Sequence, residues 1–228
     1  MCGIIGITST KQVSSTIINS LKKLEYRGYD SAGIATLNDG FINEVKCEGR
    51  VESLEKNVSN SNLDILDFSP HRSLYDYWSN KNVNYTANDF ENEFLSHTQQ
   101  DITSLVFKND AFDLIICYHV LEHIQDDSKA ISELYRVLKP NALLLAQVPF
   151  TMGKTDEDPS ITSPEMRRKR FGQEDHVRYY GKNDFVNKLN QAGFNVNALN
   201  FVKNINNELI YFYGLNSDDT IFICKKES

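Results

Sequence analysis

The chain has 228 residues, 40% hydrophobic and 11% aromatic, with 31 acidic side chains against 24 lysines and arginines and a net charge of -7. That length buries one large core or two small ones, so it leaves the domain count open. The acidic balance argues against nucleic acid as the main partner. No apolar run reaches the roughly 18 to 20 residues of a membrane span, and four scattered cysteines form neither a zinc knuckle nor a disulfide framework. A cytoplasmic location with reduced thiols is expected.

In chain order, the first segment reads as a strand at 3–7 and then a helix over 12–24, whose Val13, Ile17, Ile18, Leu21 and Leu24 share one face. A glycine-rich turn over 26–33 leads to a strand at 34–37, and Asp39-Gly40 marks a hairpin turn into a strand at 41–46. The polar stretch that follows is weakly patterned, which places a junction at 58–62 between segments 1–57 and 63–228.

Beyond the junction, strands and helices alternate. Strands are expected at 63–68, 83–87, 112–118 and 142–148, with helices at 73–79 and 128–138. Asp127 or Ser128 is expected to cap the second helix, and Lys139-Pro140-Asn141 to end it. A helix at 183–192 closed by Gly193, and strands at 194–201 and 220–224, complete the segment. Such alternation implies a mostly parallel α/β sheet with helices on both faces and ligand bound at the carboxyl ends of the strands.

Met1-Cys2-Gly3-Ile4-Ile5-Gly6 and Leu24-Glu25-Tyr26-Arg27-Gly28-Tyr29-Asp30-Ser31-Ala32-Gly33 resemble the start of a class II glutamine amidotransferase, the glutamine:fructose-6-phosphate aminotransferase type. The resemblance implies Cys2 as an N-terminal nucleophile, with its own α-amino group as base, and Arg27 as a shaper of the glutamine pocket. The family's later His-Thr-Arg-Trp and His-Asn-Gly runs do not occur here. This segment is therefore read as a truncated amidotransferase, expected to be inactive because donors for the oxyanion are missing.

Asp113 to Ile124, then Leu134-Tyr-Arg-Val-Leu-Lys-Pro140 and the apolar run 143–148, resemble the fourth strand, following helix and fifth strand of class I S-adenosylmethionine-dependent methyltransferases. The resemblance covers about 165 residues and implies a Rossmann-like fold of strand order 3-2-1-4-5-7-6, last strand antiparallel, with S-adenosylmethionine as cofactor and a small-molecule acceptor. It places Asp89 on the ribose hydroxyls, Asp101 and Ile102, which precede Leu105-Val106-Phe107, at the adenine, and Tyr118 or His119 facing the methyl donor. The usual glycine-rich turn is replaced by Asp67-Phe68-Ser69-Pro70-His71-Arg72-Ser73. There Asp67 and the small Ser69 are cofactor contacts, Arg72 is a partner for the methionine carboxylate, and Ser73 is a helix cap. The altered turn also suggests a competing reading, a binding module without catalysis.

Between the fifth strand and the next helix, Asp175-His176-Val177-Arg178-Tyr179-Tyr180 mixes acid, imidazole and guanidinium groups with aromatic rings. Two readings stand. In one, His176 is a general base and Arg178 and Tyr179 contact an anionic substrate; in the other, the stretch is a structural latch. His119 and His123 are four residues apart around Glu122, but they follow a strand and no third ligand is evident, so no metal is expected.

Overall fold

The structure, a computed structural model, describes residues 5, 7, 13–24, 31–38, 41–48, 50–52, 63–213, 216 and 219–227. It divides into two compact units, Met1–Asn62 and Leu63–Ser228. Among the described residues no helix is long and apolar enough to cross a membrane. The strand expected at 3–7 and the turns at 26–30 and 39–40 fall largely or wholly outside them, as do Cys2 and Arg27.

The first unit holds a helix, α1 (Ser14–Leu24), and an antiparallel pair, β1 (Ser31–Asn38) and β2 (Phe41–Glu48), in register from Ser31 opposite Glu48 to Asn38 opposite Phe41. Ile17 and Ile18 of α1, Ile34 of β1 and Val51 form its small buried core, with Val13 and Leu21 packed against it. The spacing of Val13, Ile17, Ile18 and Leu21 is what puts these side chains on one helix face.

The second unit is built on six strands: β3 (Asp64–Phe68), β4 (Asn84–Asn88), β5 (Phe112–Tyr118), β6 (Leu138–Gln147), β10 (Phe194–Leu199) and β11 (Ile221–Lys226), in the order β10-β11-β6-β5-β3-β4. β3 pairs parallel with both β4 and β5, and β5 with β6, while β11 runs antiparallel to both neighbours. Helices α2 (Arg72–Ser79), α3 (Asp127–Val137), α4 (Pro164–Phe171), α5 (Lys182–Gln191) and α6 (Asn207–Tyr213), with the short strands β7 (Phe150–Thr151), β8 (Asp156–Glu157) and β9 (Arg178–Gly181), complete it. Central strands are largely apolar because both faces are covered: Leu66, Ile115 and Cys117 are buried in one cluster with Ile131 and Leu134 of α3 and Phe185 and Leu189 of α5, and Ile65 and Ile116 are buried as well.

Two local expectations change, and the backbone from Leu105 to Phe107 is held by side chains of α3. Arg136 donates to Leu105 O at 2.9 Å and Phe107 O at 2.8 Å, and Glu133 accepts from Leu105 N at 2.9 Å. The Lys139-Pro140-Asn141 stretch lies inside β6, where Leu138 faces Phe112 and Leu143 faces Leu114, so residues 139–142 bulge out opposite Asp113. Pro140 fits that excursion because it has no N–H to lend to the ladder. The bulge delivers Lys139 Nζ to Asp64 at 2.8 Å and Asp113 at 2.7 Å. The caps also shift by a residue or two: Asp126 accepts from Lys129 N at 3.0 Å to start α3, and His71 rather than Ser73 caps α2.

Two glycines are required by geometry. Gly193 closes α5 at φ 106° against the Tyr135 ring, and a Cβ on Gly181 would lie 2.4 Å from Gly153 O.

Candidate functional site

The parallel strands β3, β4 and β5 end side by side, and the loops that leave them enclose a cavity of about 980 Å³. Phe68 and Ser69 come from the end of β3, Asn88 and Asp89 from the end of β4, and His119 and Val120 from the end of β5. Ser69 has φ 47°, the left-handed conformation that glycine ordinarily supplies at a tight turn, and its N–H donates to Asn88 O at 2.8 Å. Its hydroxyl donates to Asp89 Oδ1 at 2.8 Å. The other Asp89 oxygen accepts from Glu93 N at 2.6 Å and Phe94 N at 3.0 Å, so the carboxylate folds the loop after β4 around itself.

Next to this pair, Asn88 forms a fixed polar bracket. Its amide donates to Gln100 O at 3.0 Å, and its carbonyl oxygen accepts from Thr98 Oγ1 at 2.9 Å and Gln100 N at 2.8 Å. The bracket leads the chain into Asp101 and Ile102, which line the cavity; Ile102 is buried, and Asp101 accepts from Thr103 N at 2.8 Å.

The opposite wall is richer in ionisable groups. His119, at φ 55°, has Nδ1 3.2 Å from Glu122 Oε1, and that bond raises its imidazole pKa against the opposing effect of burial. Glu122 is fully buried, and among the described residues its Oε2 has no hydrogen-bond partner. His123 Nδ1 lies 3.0 Å from Asp175 Oδ2, and His176 Nδ1 lies 3.0 Å from Phe171 O. The two rings stand 4.7 Å apart at 83°. One ligand atom from each of Glu122, His123 and His176 lies within 4.8 Å of the others. His176, rather than His119, stands with Glu122 and His123 in this cluster.

Arg178 is placed elsewhere. Its side chain is 5% exposed. It donates to Glu157 Oε2 at 3.0 Å, Leu121 O at 3.2 Å, Gln125 O at 2.8 Å and Ile124 O. The guanidinium is consumed in holding the turn after β5, which corrects the expectation that it anchors substrate. Tyr179 sits half-buried on β9 with its backbone opposite Asp156 and does not line the cavity. Arg72 is 81% exposed beside Asp76 and likewise stays outside the cavity lining. Asp67 and Tyr118 are not among the residues that line the cavity. Burial pushes the Asp67 carboxyl up to about 7 although Tyr85 donates to it at 2.9 Å, and burial with the nearby Asp67 pushes Tyr118 up to about 12. The residues missed from sequence are Asn88, Gln100 and Glu122. Only Glu122 carried a signal, a lone carboxyl in the apolar run Val120-Leu121-Glu122-His123-Ile124.

Residues 66–146 match the family described as a methyltransferase domain. An S-adenosylmethionine dependent methyltransferase from Mesorhizobium loti aligns at TM-score 0.50 and 14% identity over 72% of this chain and 91% of that one. The C-terminal unit has the class I methyltransferase fold. The 1,6-didemethyltoxoflavin-N1-methyltransferase of Burkholderia thailandensis shares that methyltransferase fold at TM-score 0.50 and 11% identity, over 77% of this chain and 76% of its own. The N-terminal segment is similar to a different protein: glutamine–fructose-6-phosphate aminotransferase of Clostridium acetobutylicum, 57% identical over 58 residues, 25% of this chain. The chain spans 10% of that relative's length.

Proposed function

We propose that the C-terminal unit binds S-adenosylmethionine at the ends of β3 and β4 and methylates a small-molecule acceptor held in the same cavity. The observation that carries this reading is the Ser69–Asp89 pair. Ser69 adopts the backbone conformation of the glycine it stands in for, and it sets the Asp89 carboxylate at the cavity wall. Asp89 Oδ2 is taken up by the Glu93 and Phe94 N–H groups, while Oδ1 accepts from Ser69 and keeps a lone pair for a ribose hydroxyl. Ile102 supplies an apolar surface for adenine, and Asp101 an acceptor beside it. The cofactor, when bound, supplies an electrophilic methyl group. The chain's own part is to hold donor and acceptor at attack distance, with His119 and His176 on the wall opposite Asp89.

Calorimetric titration with S-adenosylmethionine tests this reading. One equivalent is expected to bind, and Asp89→Ala should weaken binding at least about tenfold, on the order of 1.4 kcal/mol. No binding to the wild-type chain, or equal binding to a folded Asp89→Ala variant, overturns the claim. Binding without methyl transfer to any acceptor would favour the binding-module reading, which the altered glycine turn supports.

The N-terminal segment is proposed to have no glutaminase activity, since the stretches that complete the family's pocket do not occur in the chain. A covalent Cys2 adduct with a glutamine-analogue electrophile, found by mass spectrometry, would reverse that. The buried free thiols of Cys117 and Cys224 support a cytoplasmic location.

A further inference from the structure

We propose that Glu122, His123 and His176 form a binding site for a divalent transition-metal cation of the zinc class, with its open coordination position facing the cavity. Two neutral imidazoles and one carboxyl are a donor set that suits zinc, iron or cobalt better than magnesium or calcium, and three protein ligands leave room for a further one. Each side chain is already oriented for this role. The Nδ1 atoms of His123 and His176 are engaged by Asp175 and by Phe171 O, which leaves both Nε2 atoms as the available lone pairs. Imidazoles that bind metals are ordinarily fixed by a carboxylate or carbonyl on the other ring nitrogen in this way. Glu122 is held by His119 through Oε1, while Oε2 is buried and, among the described residues, unpartnered. A buried carboxyl oxygen with no donor is the independent sign that a ligand belongs there.

The scaffold brings these groups together across 54 residues of sequence. Val177 N donates to Glu122 O at 2.9 Å, which sets His176 beside the turn formed by Leu121–His123. Arg178 and the Tyr180 hydroxyl, 3.3 Å from Leu121 O, hold that turn from below. One ring nitrogen of each histidine and one Glu122 carboxylate oxygen lie within 4.8 Å of one another. Around a tetrahedral cation with bonds near 2.1 Å they would stand about 3.4 Å apart, so side-chain shifts of about 1 Å complete the site. The open position then takes an oxygen atom of the methyl acceptor, a hydroxyl or carboxylate. That last step rests on the methyltransferase reading, whereas cation binding does not.

The test uses the full chain, stripped with a chelator and titrated with Co²⁺ alone while visible absorption is followed, with Zn²⁺ added in competition. One equivalent of Co²⁺ should produce d–d bands that Zn²⁺ abolishes, and His123→Ala, His176→Ala and Glu122→Gln should each weaken binding at least about tenfold. His123 is 29% exposed, so its alanine variant decides the matter if either buried substitution fails to fold. Absence of the bands in the wild-type chain, or unchanged affinity in folded His123→Ala, overturns the site. Acetohydroxamate, an oxygen-donor probe, should shift the bands; no shift would overturn the open position. Titration with S-adenosylmethionine on the same samples separates the two proposals: cofactor binding without Co²⁺ binding sinks only the metal site, and the reverse sinks only the methyltransferase reading.

Discussion

Ser69 occupies a position where backbone conformation and side-chain chemistry pull in different directions. A left-handed φ of 47° costs a residue with a Cβ about 1–2 kcal/mol. The Ser69 hydroxyl offsets part of that by donating to Asp89. Ser69→Ala keeps the strain and loses the bond, whereas Ser69→Gly loses both. Urea unfolding should therefore rank wild type and Ser69→Gly within about 1 kcal/mol, with Ser69→Ala lower than Ser69→Gly by about 1 kcal/mol. Asp67, two residues earlier, is a second strained choice. Its folded pKa of about 7 exceeds the ordinary value of 3.8 because burial disfavours the charged form. Between those values the folded chain keeps a proton that the unfolded chain has released. The contribution of Asp67 to stability is thus full below about pH 4 and is lost as pH rises through about 7, at a slope of at most about 1.4 kcal/mol per unit. Asp67→Asn stays neutral throughout. Its stability relative to wild type, measured by urea unfolding, should improve from pH 5 to pH 8.

At the scale of elements, periodicity found what periodicity controls. β5 was legible to the residue because 114–118 is an apolar run whose central residues, Ile115, Ile116 and Cys117, are buried. The helices α3 and α5 were legible because their apolar residues fall on one side. No local pattern reveals that Arg136 and Glu133 hold the backbone of Leu105 and Phe107. The site divides along the same line. Ser69, Asp89, Asp101, Ile102 and His119 follow strand ends and could be placed in order along the chain, while the meeting of Glu122 with His176 depends on a loop that returns 54 residues later. Burial in strands also sets thiol chemistry. Cys117 on β5 and Cys224 on β11 are both buried, which raises Cys117 well above the ordinary thiol range and Cys224 to about 12. Neither should react with iodoacetamide at pH 8 in the native protein, and both should react in urea, as read by peptide mass spectrometry. Native labelling at either would mean that its strand opens readily.

At the scale of the whole molecule, two segments with different resemblances share one chain, and the described residues that line the cavity lie between Phe68 and His176. If that cavity is the cofactor site, binding energy appears as stability of the C-terminal unit. A ligand at a hundred times its dissociation constant stabilises the native state by about 2.7 kcal/mol. For a domain of this size, each kcal/mol moves the midpoint of thermal unfolding by about 2–4 °C, so saturating S-adenosylmethionine should raise it by about 5–10 °C. Differential scanning fluorimetry on the full chain and on residues 63–228 should give the same increment, and Asp89→Ala should reduce it in both. An increment confined to the full chain would show that the amidotransferase-like segment helps to build the binding site. An increment unaffected by Asp89→Ala would place the ligand away from the strand ends, where the paired carboxylate and left-handed serine have no part in holding it.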